Sequence, residues 1–256
     1  MSREEAAGAG HFTTMQLRGG RVRGLDLHLD RLLAASRALY GSEPGRAVLL
    51  GRLRETLSAA GLLRGDCTAR IRVLPPRRGC RSDAGPGAHD PALHIEVDIE
   101  PPRQPPASPL RVCTRSGLRP FPEVKHLALE FQHRARDEAR RAGFDDVLLL
   151  AADGSISEGS FWNIAFQDGK GVVWPDAPAL PGITARLLAE ALERAGVPQR
   201  REAVRMEDLA GLAAAFALNS TGIADIAAID GHRFPGDAAA GAMWRRLLAQ
   251  VPADLF

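Results

Sequence analysis

Lys125 is one of only two lysines among the 33 basic residues of this chain; the rest are arginines. Lys170, the other, sits in the turn-like Gln167-Asp168-Gly169-Lys170-Gly171. Arginine holds its proton, whereas lysine can lose one and attack a carbonyl as a free amine. Lys125 lies in Pro122-Glu123-Val124-Lys125-His126-Leu127, just ahead of a helix-like stretch that would give it a fixed root. A carboxylate, Glu158, stands inside an alternating stretch from Ser155 to Ile164. Leu180-Pro181-Gly182-Ile183-Thr184 opens a helix. Its glycine permits close backbone approach, and the free N–H groups and positive dipole end of the helix favour an anion. Asn219-Ser220-Thr221-Gly222, at a strand end, adds hydroxyls and amides.

An amine, a carboxylate and an anion cradle are the groups that pyridoxal phosphate requires. The amine joins its aldehyde, the carboxylate keeps its ring nitrogen protonated, and the cradle holds its phosphate. Burial against the ring would bring the amine's pKa toward the working range. Taken singly, each group also has a plainer role: a solvated lysine, an exposed strand glutamate, an ordinary N-cap threonine, a turn.

The elements that must position these groups are legible from periodicity. Phe12 to Arg23 reads as a hairpin about Gly19-Gly20. Helices follow from about Leu27 to Gly41 and from Arg46 to Ala60, then strands Cys67–Leu74 and Leu93–Ile99. Pro75 to Pro91, between those strands, is rich in Pro, Gly and Arg and predicts a mobile loop. A strand over Leu110–Thr114 follows the proline-rich stretch from Pro101 to Pro109. Leu127, Phe131, Ala135 and Ala139 form one stripe of a helix. Val147–Ala151, Ser155–Phe166 and Val172–Trp174, with turns at Asp153-Gly154 and Asp168-Gly169, predict a three-stranded antiparallel meander. Pro181 opens a helix to about Ala195. Ala214–Leu218 and Ile223–Ile229 read as strands, and Ala239–Gln250 as a closing helix. The expected architecture is α/β (α+β) in two domains. Residues 1–116 form a small N-terminal α+β domain and residues 117–256 a larger C-terminal α/β domain with the meander.

The order and spacing of these motifs resemble the class IV, fold-type IV, pyridoxal phosphate-dependent aminotransferases. That family includes branched-chain aminotransferase, D-amino-acid aminotransferase and aminodeoxychorismate lyase. The similarity runs from about Phe12 to Asp230. Lys125-His126-Leu127 looks like the Lys-His-Leu of the lyase branch. Glu158 followed by Asn163-Ile164 resembles the family's Glu…Asn-(Ile/Leu) strand, and Leu180–Thr184 its phosphate turn. His28-Leu29-Asp30-Arg31-Leu32 resembles His-x-x-Arg-Leu, whose arginine reaches the phosphate. The resemblance implies that Lys125 is the catalytic amine and that Glu158 pairs with the ring nitrogen. Arg31, Ile183 through its main-chain N–H, Thr184 and Thr221 would hold the phosphate. Thr221 and Gly222 would meet the substrate carboxylate. It implies a cofactor in a cleft between two domains and a homodimer as the active unit. Two departures stand out. The Asn-Tyr pair that follows the lysine in branched-chain enzymes is absent, since the only tyrosine is Tyr40. Ala128 also replaces the asparagine usual in the lyase branch.

Composition bounds the alternatives. A net charge of +2 favours neither nucleic acid nor membrane. Short clusters such as Arg77-Arg78, Arg140-Arg141 and Arg200-Arg201 read as solvated faces. Cys67, Cys80 and Cys113 form no CxxC pair, so neither a disulfide framework nor a metal site is expected. Met1–Gly10 lacks the apolar core of a signal peptide, and a reducing cytoplasm is the default. The leading expectation is amino-group transfer between an amino acid and a 2-oxo acid. Elimination of the 4-amino-4-deoxychorismate lyase type is the second, and a non-catalytic binding module of the same fold the third.

Overall fold

The computed structural model describes residues 2–75 and 93–255. The loop expected over Pro75–Pro91, with Cys80 and Arg77-Arg78, lies outside the described residues except at Pro75. The chain divides into two compact units. One comprises Met1–Arg103, Val124–Ala128 and Ala253–Phe256, and the other Gln104–Glu123 and Leu129–Pro252.

The first unit opens with helix α1 (Arg3–Ala9), which sequence reading missed. A capping box starts it: Ser2 Oγ accepts from Glu5 N at 3.2 Å, and the Glu5 carboxylate accepts from Ser2 N at 2.6 Å. Strand β1 (His11–Leu17) ends in a turn in which Arg18 and Arg21 exchange backbone hydrogen bonds of 3.0 Å. The expected hairpin stops at that bridge. Strand β2 (Arg21–Arg23) pairs instead with a C-terminal strand, Ala253–Leu255, while β1 pairs with β3 (Cys67–Leu74). Strand β4 (His94–Glu100) completes the sheet in the order β1-β3-β4. Helices α2 (Leu25–Tyr40) and α3 (Arg46–Ala59) bury Leu29, Leu32, Leu49, Leu53 and Leu57 with Met15, Leu17, Ile71 and Val73 of the sheet. The sheet's period-2 alternation and the helices' 3.6-residue stripes supply the same core from two sides.

The second unit begins with β5 (Leu110–Ser116), α4 (Glu130–Arg141) and β6 (Asp146–Leu150). It continues through β7 (Ile156–Gly159), β8 (Asn163–Asp168), β9 (Gly171–Pro175), α5 (Ile183–Arg194) and β10 (Gln199–Glu202). A 3-10 turn at Met206–Gly211 precedes β11 (Ala214–Asn219), β12 (Gly222–Ile229), β13 (His232–Arg233) and α6 (Ala238–Gln250). The strand order is β10-β9-β8-β11-β12-β5-β6-β7. Strand β7 then meets β8 again through the single pair Glu158–Asn163, so six strands close into a ring. Helices α5 and α6 cover one side of it, where Phe216 and Trp244 pack with ring centroids 4.4 Å apart. No helix among the described residues is long and apolar enough to cross a membrane.

Three expectations change. Ser155–Phe166 is not one strand but two, because Gly159–Trp162 turns back on itself with Gly159 N donating to Trp162 O at 2.8 Å. The indole fills the space above Gly159: a Cβ there would meet Trp162 Cε2 at 2.0 Å. The helix after Lys125 starts at Glu130 and not at Leu127, whose N–H donates to Gly10 O at 2.8 Å. Leu110–Ser116 lies in the large sheet, paired with β12 and β6, and the division between units falls after Arg103. The division expected from the sequence is at 116/117.

Candidate active site

Lys125 belongs to the first unit, which sequence reading had not expected. Its segment adds to the free edge of β1. Phe12 N donates to Lys125 O at 2.9 Å, and His11 and His126 form an antiparallel bridge. Its main chain is therefore fixed on both sides of the amine. Lys125 Nζ stands 4.8 Å from the centroid of the Phe12 ring, a cation–π distance.

Arg31 is in the same unit, on α2. Its Nη2 donates to Thr13 Oγ1, and Thr13 Oγ1 lies 2.7 Å from His28 Nδ1. Thr13 and His28 are buried. Burial, then the charges of Arg31 and Lys125, push the His28 imidazole well below its ordinary pKa. His11, bonded to Ser36 Oγ at 2.9 Å, is pushed down to about 4 by burial and then by Arg31. Both rings are neutral at pH 7.

The other predicted residues gather in the second unit. Glu158, 5% exposed, sits at the pair that closes the strand ring. Its Oε2 accepts from Leu180 N at 3.1 Å, and its Oε1 lies 3.4 Å from Nε of Arg119, an equally buried cation. The expectation of an exposed strand glutamate is thereby excluded. Leu180 also accepts, through its carbonyl, from Asn163 Nδ2 at 2.8 Å. One residue thus ties Glu158 and Asn163 to the turn that starts α5. Gly182 is the N-cap of that helix and has no side chain with which to cap it. A Cβ on Gly182 would meet Asn163 Oδ1 at 1.8 Å, so any larger residue there must displace Asn163.

Thr184 Oγ1 donates to Asn219 O at 2.7 Å, joining α5 to the β11–β12 turn. In that turn Thr221 N and Oγ1 both donate to Asn219 Oδ1, at 2.8 and 2.7 Å. The two hydroxyls therefore lock the turn to the helix start; each spends its single proton on Asn219 and would have to turn it away to donate to an anion. Ile183 is the first residue of the helix, and Gly222, with φ 133°, opens β12. A cavity of about 590 Å³ in this unit has Asn219, Thr221, Gly222, Trp162 and Arg136 among its lining residues.

These groups suit pyridoxal phosphate in kind. A helix start without a side-chain cap, entered through Gly182, fits a phosphate dianion. A buried carboxylate beside the Arg119 guanidinium suits a protonated ring nitrogen. Sequence reading missed Arg119, Thr13 and the structural part of Asn163. His28 and Asn163 had appeared only within motifs, and nothing in Gly117-Leu118-Arg119-Pro120 marks its arginine as buried. Tyr40, the only tyrosine, donates to Ala7 O at 3.1 Å and serves the packing of α1.

A family model for amino-transferase class IV matches residues 10–229. The chain belongs to that family. Members of the class IV family are pyridoxal phosphate-dependent enzymes that carry out transamination or lyase reactions. Among solved structures, a proposed 4-amino-4-deoxychorismate lyase of Legionella pneumophila is similar at 20% identity, covering 96% of this chain and 92% of its own, with a TM-score of 0.82. A hypothetical aminotransferase of Mycobacterium tuberculosis, in its pyridoxal phosphate-bound form, is similar at 22% identity over 98% and 92%, with a TM-score of 0.79. The branched-chain amino acid aminotransferase of Escherichia coli is similar at 19% identity over 96% and 85%, with a TM-score of 0.77. At these identities the likeness is one of fold. No curated protein sequence matches the chain.

Proposed function

We propose that this class IV protein transfers an amino group between an amino acid and a 2-oxo acid, with Lys125 as its catalytic amine. The reading assigns Arg31, the main-chain N–H of Ile183, Thr184 and Thr221 to the cofactor phosphate, Glu158 to the ring nitrogen, and Thr221 and Gly222 to the substrate carboxylate. The observation that carries it is the double use of Leu180. A single residue bonds Glu158 and Asn163 and leads directly into the uncapped helix start. The carboxylate and the anion cradle are therefore held at a fixed spacing, which a chance pair of polar groups would not need.

When bound, pyridoxal phosphate supplies an electron-accepting ring that stabilises negative charge at the substrate's Cα. Lys125 Nζ would take the Cα proton as general base and, as general acid, deliver it to the cofactor's former aldehyde carbon and not back to Cα, from a main chain fixed by β1. Glu158 would accept a hydrogen bond from the protonated ring nitrogen. The amides of the α5 start orient the phosphate, and Arg31 adds charge to it. The reading includes a homodimer, which rests on the resemblance, and a cytoplasmic setting, supported by Cys67 and Cys113 being free thiols.

Elimination on the same residues is the competing outcome, favoured by Lys125-His126-Leu127. The test is to supply amino donors with 2-oxo acid acceptors, and aminodeoxychorismate separately, and to follow keto-acid and aromatic amine. Stoichiometric pyruvate from aminodeoxychorismate with no amino acceptor present overturns transamination. A protein that stays colourless with added pyridoxal phosphate overturns both in favour of a binding module.

A further inference from the structure

Arg136, on α4, has no role in the proposed chemistry. Its guanidinium lies over the Phe161 ring, 5.6 Å from the centroid, and its Nε stands 3.7 Å from Asp146 Oδ2. That Nε is buried and has no hydrogen-bond partner among the described residues. Trp162 is 6% exposed, and its indole N–H likewise has no partner among the described residues. Both side chains line the cavity of about 590 Å³, which lies wholly within the second unit. A buried donor left unpaired is unfavourable, and few such groups occur without a cause. Here two of them border one space of ligand size.

The rest of the lining decides what that space would hold. Leu110, Phe144, Ala217 and Ala224 give it apolar walls. Its two acids are already engaged. Asp146 Oδ1 accepts from Val147 N at 2.8 Å and from Ser160 Oγ at 2.5 Å, and Asp145 Oδ2 accepts from Arg111 N at 2.7 Å. Arg140, exposed at the rim, turns its Nε to Asp145 O at 3.4 Å. Two arginines and two aspartates leave the lining without net charge, which disfavours a dianion such as phosphate. A flat monoanion instead meets a guanidinium fork with two parallel hydrogen bonds, and the Phe161 ring steadies the plane of that fork. We propose that this cavity binds a carboxylate carried on an apolar body, with Arg136 as its fork and the Trp162 N–H as a further donor. Thr221 and Gly222, to which the reading above gives the substrate's own carboxylate, border the same cavity. The bound group therefore belongs either to the far end of the substrate or to a separate small acid, and the chemistry that recognises it is the same.

Calorimetric titration of the full chain, loaded with pyridoxal phosphate, with cyclohexanecarboxylate and with its amide tests this. Wild type should bind the acid at least about tenfold more tightly than the amide, which has the same shape and no charge. R136M should remove that preference. R136K should keep part of it, since lysine keeps the charge and lacks the fork. W162F should weaken acid binding about threefold to tenfold. The comparison of acid with amide on wild type needs no variant and stands if R136M does not fold. Amino-donor kinetics then locate the source. Competition by the acid, with R136M raising KM only for donors that carry a second carboxylate, places the group on the substrate. A change in kcat without competition places it on a separate acid. Equal binding of acid and amide, binding of neither, or acid binding unchanged in R136M overturns the proposal. The same titration without pyridoxal phosphate separates it from the cofactor reading: acid binding that depends on Arg136, in a protein that takes up no pyridoxal phosphate, overturns that reading alone.

Discussion

Gly182→Ala isolates the anion cradle from everything else in the chain. Gly182 has φ −69° and ψ 134°, which any residue adopts, so backbone strain plays no part. The obstacle is steric. The new Cβ would lie 1.8 Å from Asn163 Oδ1 and must gain more than 1 Å of separation. Asn163 can move only by breaking its 2.8 Å bond to Leu180 O. Overpacking costs about 1–3 kcal/mol, and the lost hydrogen bond adds about 1 kcal/mol. The expected loss is therefore about 2–4 kcal/mol, or roughly 5–15 °C in Tm for a chain of this size. Cofactor binding should report the same displacement selectively. Moving the helix start costs one or two charge-assisted hydrogen bonds to phosphate, each about 1.5–3 kcal/mol. G182A should therefore bind pyridoxal phosphate at least tenfold more weakly while binding unphosphorylated pyridoxal as wild type does. Thermal unfolding and absorbance titration measure both, with Gly231→Ala, where a Cβ meets nothing within 4 Å, as control. In an Asn163→Ala background the additional cost of G182A should fall below about 1 kcal/mol, since the obstructing atom is gone. The reasoning is refuted if G182A costs the same in both backgrounds, or weakens pyridoxal and pyridoxal phosphate equally.

Three further outcomes follow from the same structure. Gly159→Ala should destabilise by about 1–3 kcal/mol in urea unfolding, because its Cβ would overlap the Trp162 indole at 2.0 Å and open the β7–β8 turn. Arg31→Ala should weaken pyridoxal phosphate binding about tenfold or more, with a smaller effect on pyridoxal, by removing a cation that Thr13 orients. His11 makes the fold acid-sensitive. Its folded pKa of about 4 lies below the ordinary 6.5, so the unfolded chain binds the extra proton and stability falls as pH drops through that window. Between pH 7 and pH 4.5 wild type should lose about 2 kcal/mol more than His11→Asn in urea unfolding; equal losses would show that His11 is not buried neutral.

The sequence carried the elements better than their partners. Periodicity placed β3, α2, α5 and α6 within a residue or two, because each has one buried face and a clear glycine or proline stop, such as Gly41 with φ 73° or Gly196 with φ 70°. It failed where long-range pairing decides. Arg21–Arg23 alternates like a returning hairpin strand, yet its partner is 230 residues distant in the chain. Ser155–Phe166 alternates throughout, and only the packing of Trp162 over Gly159 reveals the turn inside it. In the candidate site, residue types were legible and charge state was not. Glu158 was identified by its surroundings in sequence, but Arg119 beside it lies in a segment with neither periodicity nor motif. Likewise Lys125 was singled out by lysine scarcity, while its attachment to β1 depends on main-chain bonds that no side-chain pattern encodes.

Borohydride reduction of the protein with pyridoxal phosphate, followed by peptide mapping, shows whether Lys125 is the amine that joins the cofactor aldehyde. The expected result is a visible absorbance band that disappears on reduction, a pyridoxyl group on Lys125 in stoichiometric yield, none on Lys170, and no such band in Lys125→Ala. Labelling of Lys170 in place of Lys125, or an unchanged band in Lys125→Ala, would contradict it.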